Sequence, residues 1–293
     1  MKPVFNYEQA FSRNIGWITQ NEQQTLRDKR IAIAGLGGVG GSHLLTLTRL
    51  GVGAFNIADF DRFELPNFNR QAGATVSHLD LPKTQVLTKM ARDINPELDI
   101  QEFSEGVTAD NLSAFFTGVD LYVDALDFFA FDARERVFSW CAEAGISAIT
   151  AAPLGMGVAL LNFLPGQMTF EEYFQFKGKS EADKILHFLV GLSPAMLQRG
   201  YLVDKSAVDL LHRKGPSTPM ACELCAGVAA TQALKILLKR GKVLSAPWGL
   251  QFDAYTNELA KTWRPGGNLN LLQRLAIFFA KKQFLLQSDS LGR

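Results

Sequence analysis

The residues best suited to chemistry are the glycines of Gly35-Leu36-Gly37-Gly38-Val39-Gly40-Gly41 and the carboxylate of Asp59. Glycines let a backbone turn tightly and come close to a phosphate, and the N–H groups that open a following helix face the anion. An acid at the end of the next strand accepts hydrogen bonds from ribose hydroxyls. Gly35, Gly37, Gly38, Gly40 and Asp59 therefore point to a bound nucleotide. A nicotinamide dinucleotide and ATP satisfy this set equally well.

The residues beyond Asp59 favour ATP. The stretch Phe60-Asp61-Arg62-Phe63-Glu64-Leu65-Pro66-Asn67-Phe68-Asn69-Arg70-Gln71 is denser in polar groups than a dinucleotide reductase needs. A triphosphate does need them, because its charge must be offset before a second anion can attack. At an effective dielectric of about 20, one cation about 4 Å from one phosphate charge contributes roughly 4 kcal/mol. Arg70 offers a planar fork for phosphate oxygens, and Lys83 heads the next helical pattern as a second cation. Asp127 follows a strand and is placed to hold Mg²⁺, ahead of Asp124 and Asp61 for that role. Taken singly, Arg70 and Lys83 also read as solvated charges, and Asp127 as a helix N-cap.

These positions must be held by a scaffold. Short apolar runs at 31–34, 54–58, 98–103, 120–123 and 147–151 read as strands, and 42–49, 83–94 and 131–144 as helices. Strands alternating with helices of this length imply βαβ units and a doubly wound, largely parallel, Rossmann-like sheet. The nucleotide-binding core spans about 28–165. The rhythm changes at Gly157: 158–163 reads as a strand, 168–220 as an inserted helical segment or flexible crossover, 227–238 as a helix and 249–253 as a late strand. An apolar helix at about 270–287 closes a C-terminal helical or mixed extension; packing on its own protein is the expectation for its leucines and phenylalanines, Phe284 and Leu285 included.

Of the 293 residues, 47% are hydrophobic and 20% charged, enough for a sizeable core. Thirty basic residues against 29 acidic ones leave a net charge of +1, which does not favour a nucleic-acid partner. Three cysteines suit a reducing compartment. Neither a signal peptide nor a membrane-spanning stretch is legible, so a cytoplasmic chain is expected. His43, His78, His187 and His212 are scattered and form no ligand set.

The chain resembles the ThiF/MoeB/HesA family, related to ubiquitin-activating enzymes. The matching elements are Gly35-Leu36-Gly37-Gly38-Val39-Gly40, Asp59-Phe60-Asp61, Asn67-Phe68-Asn69-Arg70-Gln71, Lys83, Ile94-Asn95-Pro96 and Asp124-Ala125-Leu126-Asp127. The resemblance implies a single adenylation domain over 1–293, with the glycine loop and Asp59 on the nucleotide. It implies Asn67, Arg70 and Lys83 on the phosphates, and Asp127 on Mg²⁺. It also implies a homodimer in which an arginine before the first strand reaches the partner's ATP; Arg13 in Phe11-Ser12-Arg13-Asn14-Ile15 occupies that place. The implied reaction is attack by a carboxylate on the α-phosphate of Mg-ATP, with release of pyrophosphate and formation of an acyl-adenylate. Acceptors consistent with it are the C-terminal glycine of a ubiquitin-like or sulfur-carrier protein, a peptide, or, less favoured, a threonylcarbamoyl group on tRNA in a dehydratase-like reaction. An NAD-dependent oxidoreductase and a non-catalytic nucleotide-binding protein are the other readings.

Two departures stand out. Phe128 follows Asp127 where a small or amide residue is usual, so the surroundings of the metal differ. Structural zinc is not expected, because Cys222-Glu223-Leu224-Cys225 has no second pair to complete four ligands. Cys222 and Cys225 are read first as small residues of a helix start and second as acceptor thiols, since the mouth of a helix lowers a thiol pKa.

Overall fold

Ile31-Ala32-Ile33-Ala34 is buried along its whole length, as a central parallel strand covered on both faces must be. The computed structural model describes residues 4–209, 213 and 215–291. The strands are β1 (Arg30–Ala34), β2 (Ala54–Ala58), β3 (Asp99–Phe103), β4 (Leu121–Asp124), β5 (Ser147–Leu154), β6 (Gly157–Phe163), β7 (Trp248–Asp253) and β8 (Glu258–Trp263). The helices are α1 (Tyr7–Ala10), α2 (Gln20–Arg27), α3 (Gly40–Leu50), α4 (Lys83–Ile94), α5 (Leu112–Phe115), α6 (Phe131–Ala144), α7 (Phe170–Phe174), α8 (Glu181–Leu192), α9 (Pro219–Leu237) and α10 (Leu271–Leu291).

The strands form one sheet in the order β3-β2-β1-β4-β5-β6-β7-β8. β1 to β5 run parallel, and β6, β7 and β8 extend the sheet antiparallel. The largely parallel, doubly wound expectation is thus met in an α/β sheet whose last three strands turn antiparallel. Chain order reverses between β1 and β4, which opens a crevice beyond the carboxyl ends of those strands. The register fixes what lies there: Ala34 pairs with both Ala58 and Asp124. Residues 35, 59 and 125 therefore leave the sheet side by side.

Two apolar layers clamp the sheet. On one face Leu44 and Leu47 of α3, Val86 and Leu87 of α4, and the small side chains of α9 pack against β1, β2 and β4. α9 is rich in alanine and cysteine on its buried side, which lets it lie close to β5, β6 and α3. It is the one helix among the described residues long and apolar enough to cross a bilayer, and its burial against the sheet accounts for that composition. On the other face Phe138, Phe163, Phe170, Phe174, Phe176 and Phe188 form an aromatic cluster.

The 168–220 stretch is helical in part, holding α7 and α8, which complete the aromatic layer. Other sequence expectations change. β8 and the short N-terminal helices α1 and α2 had not been anticipated. α9 begins at Pro219, eight residues before the helix expected at 227–238, because proline suits the first helical position. α10 packs on α8 along one side only: Leu271, Leu272, Leu275, Phe278 and Phe279 are exposed. The side chains of Phe284 and Leu285, like the whole of His212, lie outside the described residues.

Candidate nucleotide site

The loop between β1 and α3 contains two kinds of glycine. Gly35 has φ +87°, and a Cβ there would sit 2.1 Å from the Ala125 carbonyl oxygen. A Cβ on Gly40 would sit 2.0 Å from the Gly35 carbonyl oxygen. These two glycines close the loop against itself and against the turn after β4. Gly37 and Gly38 are different: their added Cβ atoms would first meet the ends of side chains, Gln71 Nε2 at 3.8 Å and Cys222 Sγ at 3.1 Å. An open cradle thus lies before α3, whose N-terminus has no side-chain cap.

Asp59 is tied directly to this loop. Its Oδ2 accepts the Leu36 N–H at 2.5 Å and its Oδ1 accepts the Asp61 N–H at 2.8 Å. Each carboxylate oxygen keeps lone-pair capacity for a further donor. Asp61 continues the chain: its Oδ2 accepts from Lys83 Nζ at 2.8 Å, and its carbonyl accepts the Lys83 N–H. Lys83 is buried while Asp61 is half exposed, so this cation is held in place with its charge partly offset.

The segment after Asp59 is anchored by Phe63, fully buried beneath Gly73. It presents a 3-10 turn, Leu65–Asn67, closed by the Glu64 N–H donating to Asn67 Oδ1 at 2.9 Å. The Asn67 carbonyl then accepts the Arg70 N–H. Asn67 therefore shapes the turn that delivers Arg70, and its side-chain NH₂ is left for a ligand. Arg70 lies against Gly38, its Cδ and Nε each 3.5 Å from the position of a Gly38 Cβ. Its Nη1 donates to the Pro66 carbonyl and to Asn69 Oδ1. Beside it the buried amide of Gln71 has an oxygen with no partner among the described residues, an orphaned acceptor next to the cradle.

Asp127 is exposed on the turn after β4, one residue past the Leu126 N–H that crowds Gly35. Its Oδ1 accepts the Phe129 N–H at 2.9 Å in a local turn. It is not a helix N-cap, since Ala130 holds that position for α6. Its rival Asp124 is buried and already accepts from Arg134 Nε, Thr150 Oγ1, Tyr122 OH and the Leu126 N–H. No group of three metal-ligating side chains occurs among the described residues. A Mg²⁺ ion here would rest on Asp127, phosphate oxygens and water, as this cation commonly does.

Sequence reasoning missed Arg134. Fully buried on α6, it pairs with Asp124 and donates to the carbonyls of Leu126, Asp127 and Phe128, clamping the whole turn. Its guanidinium also lies 4.5 Å from the Phe188 ring centroid. Phe128, the departure from the family pattern, packs its ring on Phe129, Phe131 and Phe188 and so anchors the same turn from the other layer.

Cys222 and Cys225 are both buried on α9. Burial pushes the Cys222 thiol up, against the smaller opposing effects of Ser217 and Arg70. Burial also pushes Cys225 well up. Both thiols are therefore held above the ordinary range by burial within α9, which starts at Pro219, instead of lowered as the helix-mouth reading expects. Cys222 nevertheless borders the cradle through Gly38. Arg13 lies elsewhere. It is exposed on a 3-10 turn whose neighbour Asn14 binds the Arg49 and Leu50 carbonyls at the far end of α3. At about 1.5 Å per residue, the length of α3 separates Arg13 from its own glycine loop by roughly 15 Å.

Comparison with known proteins gives the family and the fold. The chain is 31% identical over 148 residues to the sulfur carrier protein ThiS adenylyltransferase of Escherichia coli, a match covering 50% of this chain and 58% of that one. It is 29% identical over 156 residues to the tRNA threonylcarbamoyladenosine dehydratase of Haemophilus influenzae, covering 53% and 59%. These matches therefore span little more than half of the curated relatives. Among solved structures, Escherichia coli MccB with AMPCPP and MccA superposes with a TM-score of 0.65 at 19% identity, covering 88% of this chain and 73% of that one. The ThiF family model matches residues 11–268, which take in the cradle, Asp59, Arg70, Lys83, Asp127 and the sheet that carries them; the chain belongs to the ThiF family.

Proposed function

We propose that this chain adenylates a carboxylate with ATP. The observation that carries the reading is the open cradle at Gly37 and Gly38, facing an uncapped helix N-terminus and flanked by Arg70, at the reversal of strand order. In this reading the triphosphate lies along the cradle, Asp59 takes the ribose, Arg70 and Lys83 offset the phosphate charge, and the Asn67 amide helps orient the phosphates. Asp127 would hold Mg²⁺, which would supply charge stabilisation at the phosphates. The attacking carboxylate displaces pyrophosphate from the α-phosphorus and leaves an acyl-adenylate. The protein's contribution is positioning and charge offset more than proton transfer. Arg13, remote from its own cradle, serves the site of a second copy in a homodimer.

The acceptor we favour is the C-terminal glycine of a small ubiquitin-like or sulfur-carrier protein, supported by the likeness to the ThiS adenylyltransferase. The likeness to the tRNA dehydratase supports a second reading, in which the carboxylate is a threonylcarbamoyl group on tRNA. Exchange of labelled pyrophosphate into ATP separates them. Exchange that appears with a glycine-terminated carrier protein, and disappears when that terminus is amidated, supports the first. Exchange or ATP cleavage stimulated only by modified tRNA supports the second, and neither with any carboxylate overturns both.

A further inference from the structure

On the aromatic side of the sheet, a cavity of about 330 Å³ is lined by Lys177, Lys179, His187, Asn268, Arg274 and Phe278, with Gln175, Leu269 and Ile277 completing the wall. That volume falls in the range of small-molecule sites. Its cations are uncompensated: Lys177, Lys179 and Arg274 have no ion-pair partner among the described residues, and no carboxylate lines the cavity. Asp183 on α8, one turn before His187, is engaged by Lys281 at 2.7 Å.

The surroundings are built rather than loose. The turn carrying Lys177 and Lys179 is pinned by Glu171, whose carboxylate accepts the Phe176 and Lys177 N–H groups. Gln175 and Gly178, both at positive φ, form that turn. Asn268 is buried and donates to the Phe174 and His187 carbonyls. The Nδ1–H of His187 donates to the Phe174 carbonyl at 2.9 Å, which leaves Nε2 for whatever occupies the cavity. A fixed ring, three free cations and the apolar wall of Leu269, Ile277 and Phe278 suit an anion attached to a hydrophobic body.

We infer that this cavity binds a small organic phosphate, separately from the nucleotide cradle. The groups that act on His187 are Asp183 on its own helix, Lys179 on the turn after α7 and Lys281 on α10, with Lys177 and Arg274 across the cavity. Burial holds the ring below its ordinary pKa; the Phe174 carbonyl and Asp183 oppose that, and Lys179 and Lys281 add to it. A bound dianion reverses the balance of charge, so His187 takes up a proton on binding and affinity rises as pH falls.

The test follows the His187 ring resonance by NMR in the full chain, assigned with His187→Gln. Phenyl phosphate and inorganic sulfate serve as probes, sulfate because its own charge is constant across the pH range. The expected result is a saturable shift with phenyl phosphate, a weaker one with sulfate, and a rise in the apparent pKa of His187 with either. Lys179→Gln and Arg274→Gln should each weaken binding by about three- to fivefold, the worth of an exposed ion pair. Arg70→Ala should leave the His187 response unchanged even if it empties the cradle. A resonance that millimolar phenyl phosphate does not move, or a shift indifferent to both cavity substitutions, overturns the inference. A response to single-stranded RNA at lower concentration than to phenyl phosphate overturns it in favour of a nucleic-acid contact.

Discussion

Four glycines of the loop are glycines for two reasons, and substitution should separate them. At Gly35 and Gly40 an added Cβ meets backbone within 2.1 Å, so alanine must distort the loop and its contact with the turn after β4. Gly35→Ala or Gly40→Ala is expected to lower stability by about 1–3 kcal/mol or more, read from urea midpoints. At Gly38 the added carbon meets only the Cys222 and Arg70 side chains, at 3.1 and 3.5 Å. Gly38→Ala should therefore stay within about 1 kcal/mol of the parent while losing about tenfold or more in ATP affinity, because it fills the approach to the phosphate. Equal stability losses at Gly38 and Gly40 would show that the cradle is merely a packing turn. Asp61 adds a residue-scale detail: it fixes Lys83 and also lowers the field that Lys83 presents, so the free positive charge near Gly38 comes chiefly from Arg70.

At the scale of elements, the turn after β4 depends on Arg134 of α6. The ion pair with Asp124 is buried on both sides, and removing one partner of such a pair typically costs about 3–5 kcal/mol. Arg134→Met should lose about that much and also weaken metal-dependent ATP binding, while Arg134→Lys, unable to bridge three carbonyls, should recover little of either. A variant that loses stability yet binds Mg-ATP normally would detach Arg134 from the site. Helix α3 carries a second buried polar group, His43, whose ring nitrogens have no partner among the described residues and whose pKa burial lowers to about 4. The unfolded chain takes up that proton first, near pH 6.5. The contribution of His43 is thus complete above about pH 6.5 and is lost as pH falls toward 4, by about 3 kcal/mol at most. His43→Leu should flatten the stability profile between pH 7 and pH 4.5; an unchanged slope would contradict this. The alternating apolar runs made β1 to β5, the glycine loop and Asp59 legible in the sequence, because buried parallel strands and tight turns impose composition locally. β8 was not legible: it is an exposed edge strand whose alternation, Glu258-Leu259-Ala260-Lys261-Thr262-Trp263, is weak. Arg134 was hidden for a different reason. Its role depends on a tertiary meeting of α6 with the turn after β4, and an arginine inside a helical pattern reads as a surface charge.

Across the whole molecule, chain order places the cradle, Asp59 and Asp127 at the carboxyl ends of the central strands, while Arg13 sits at the opposite end of α3. If Arg13 completes a partner's site, then Arg13→Ala and Asp127→Ala are each inactive alone but complement when mixed. Random pairing gives half heterodimers with one intact site each, so equimolar mixtures should recover about a quarter of the parent pyrophosphate exchange. Mixtures as inactive as either variant would argue that Arg13 has no such role. The most direct test of the whole account is calorimetric titration of Mg-ATP into the unaltered chain and into the Arg70→Ala/Asp127→Ala double variant. Saturable binding is expected for the former and a loss of about a hundredfold or more for the latter, the worth of two charge-assisted contacts. Equal affinity in the two proteins would contradict it.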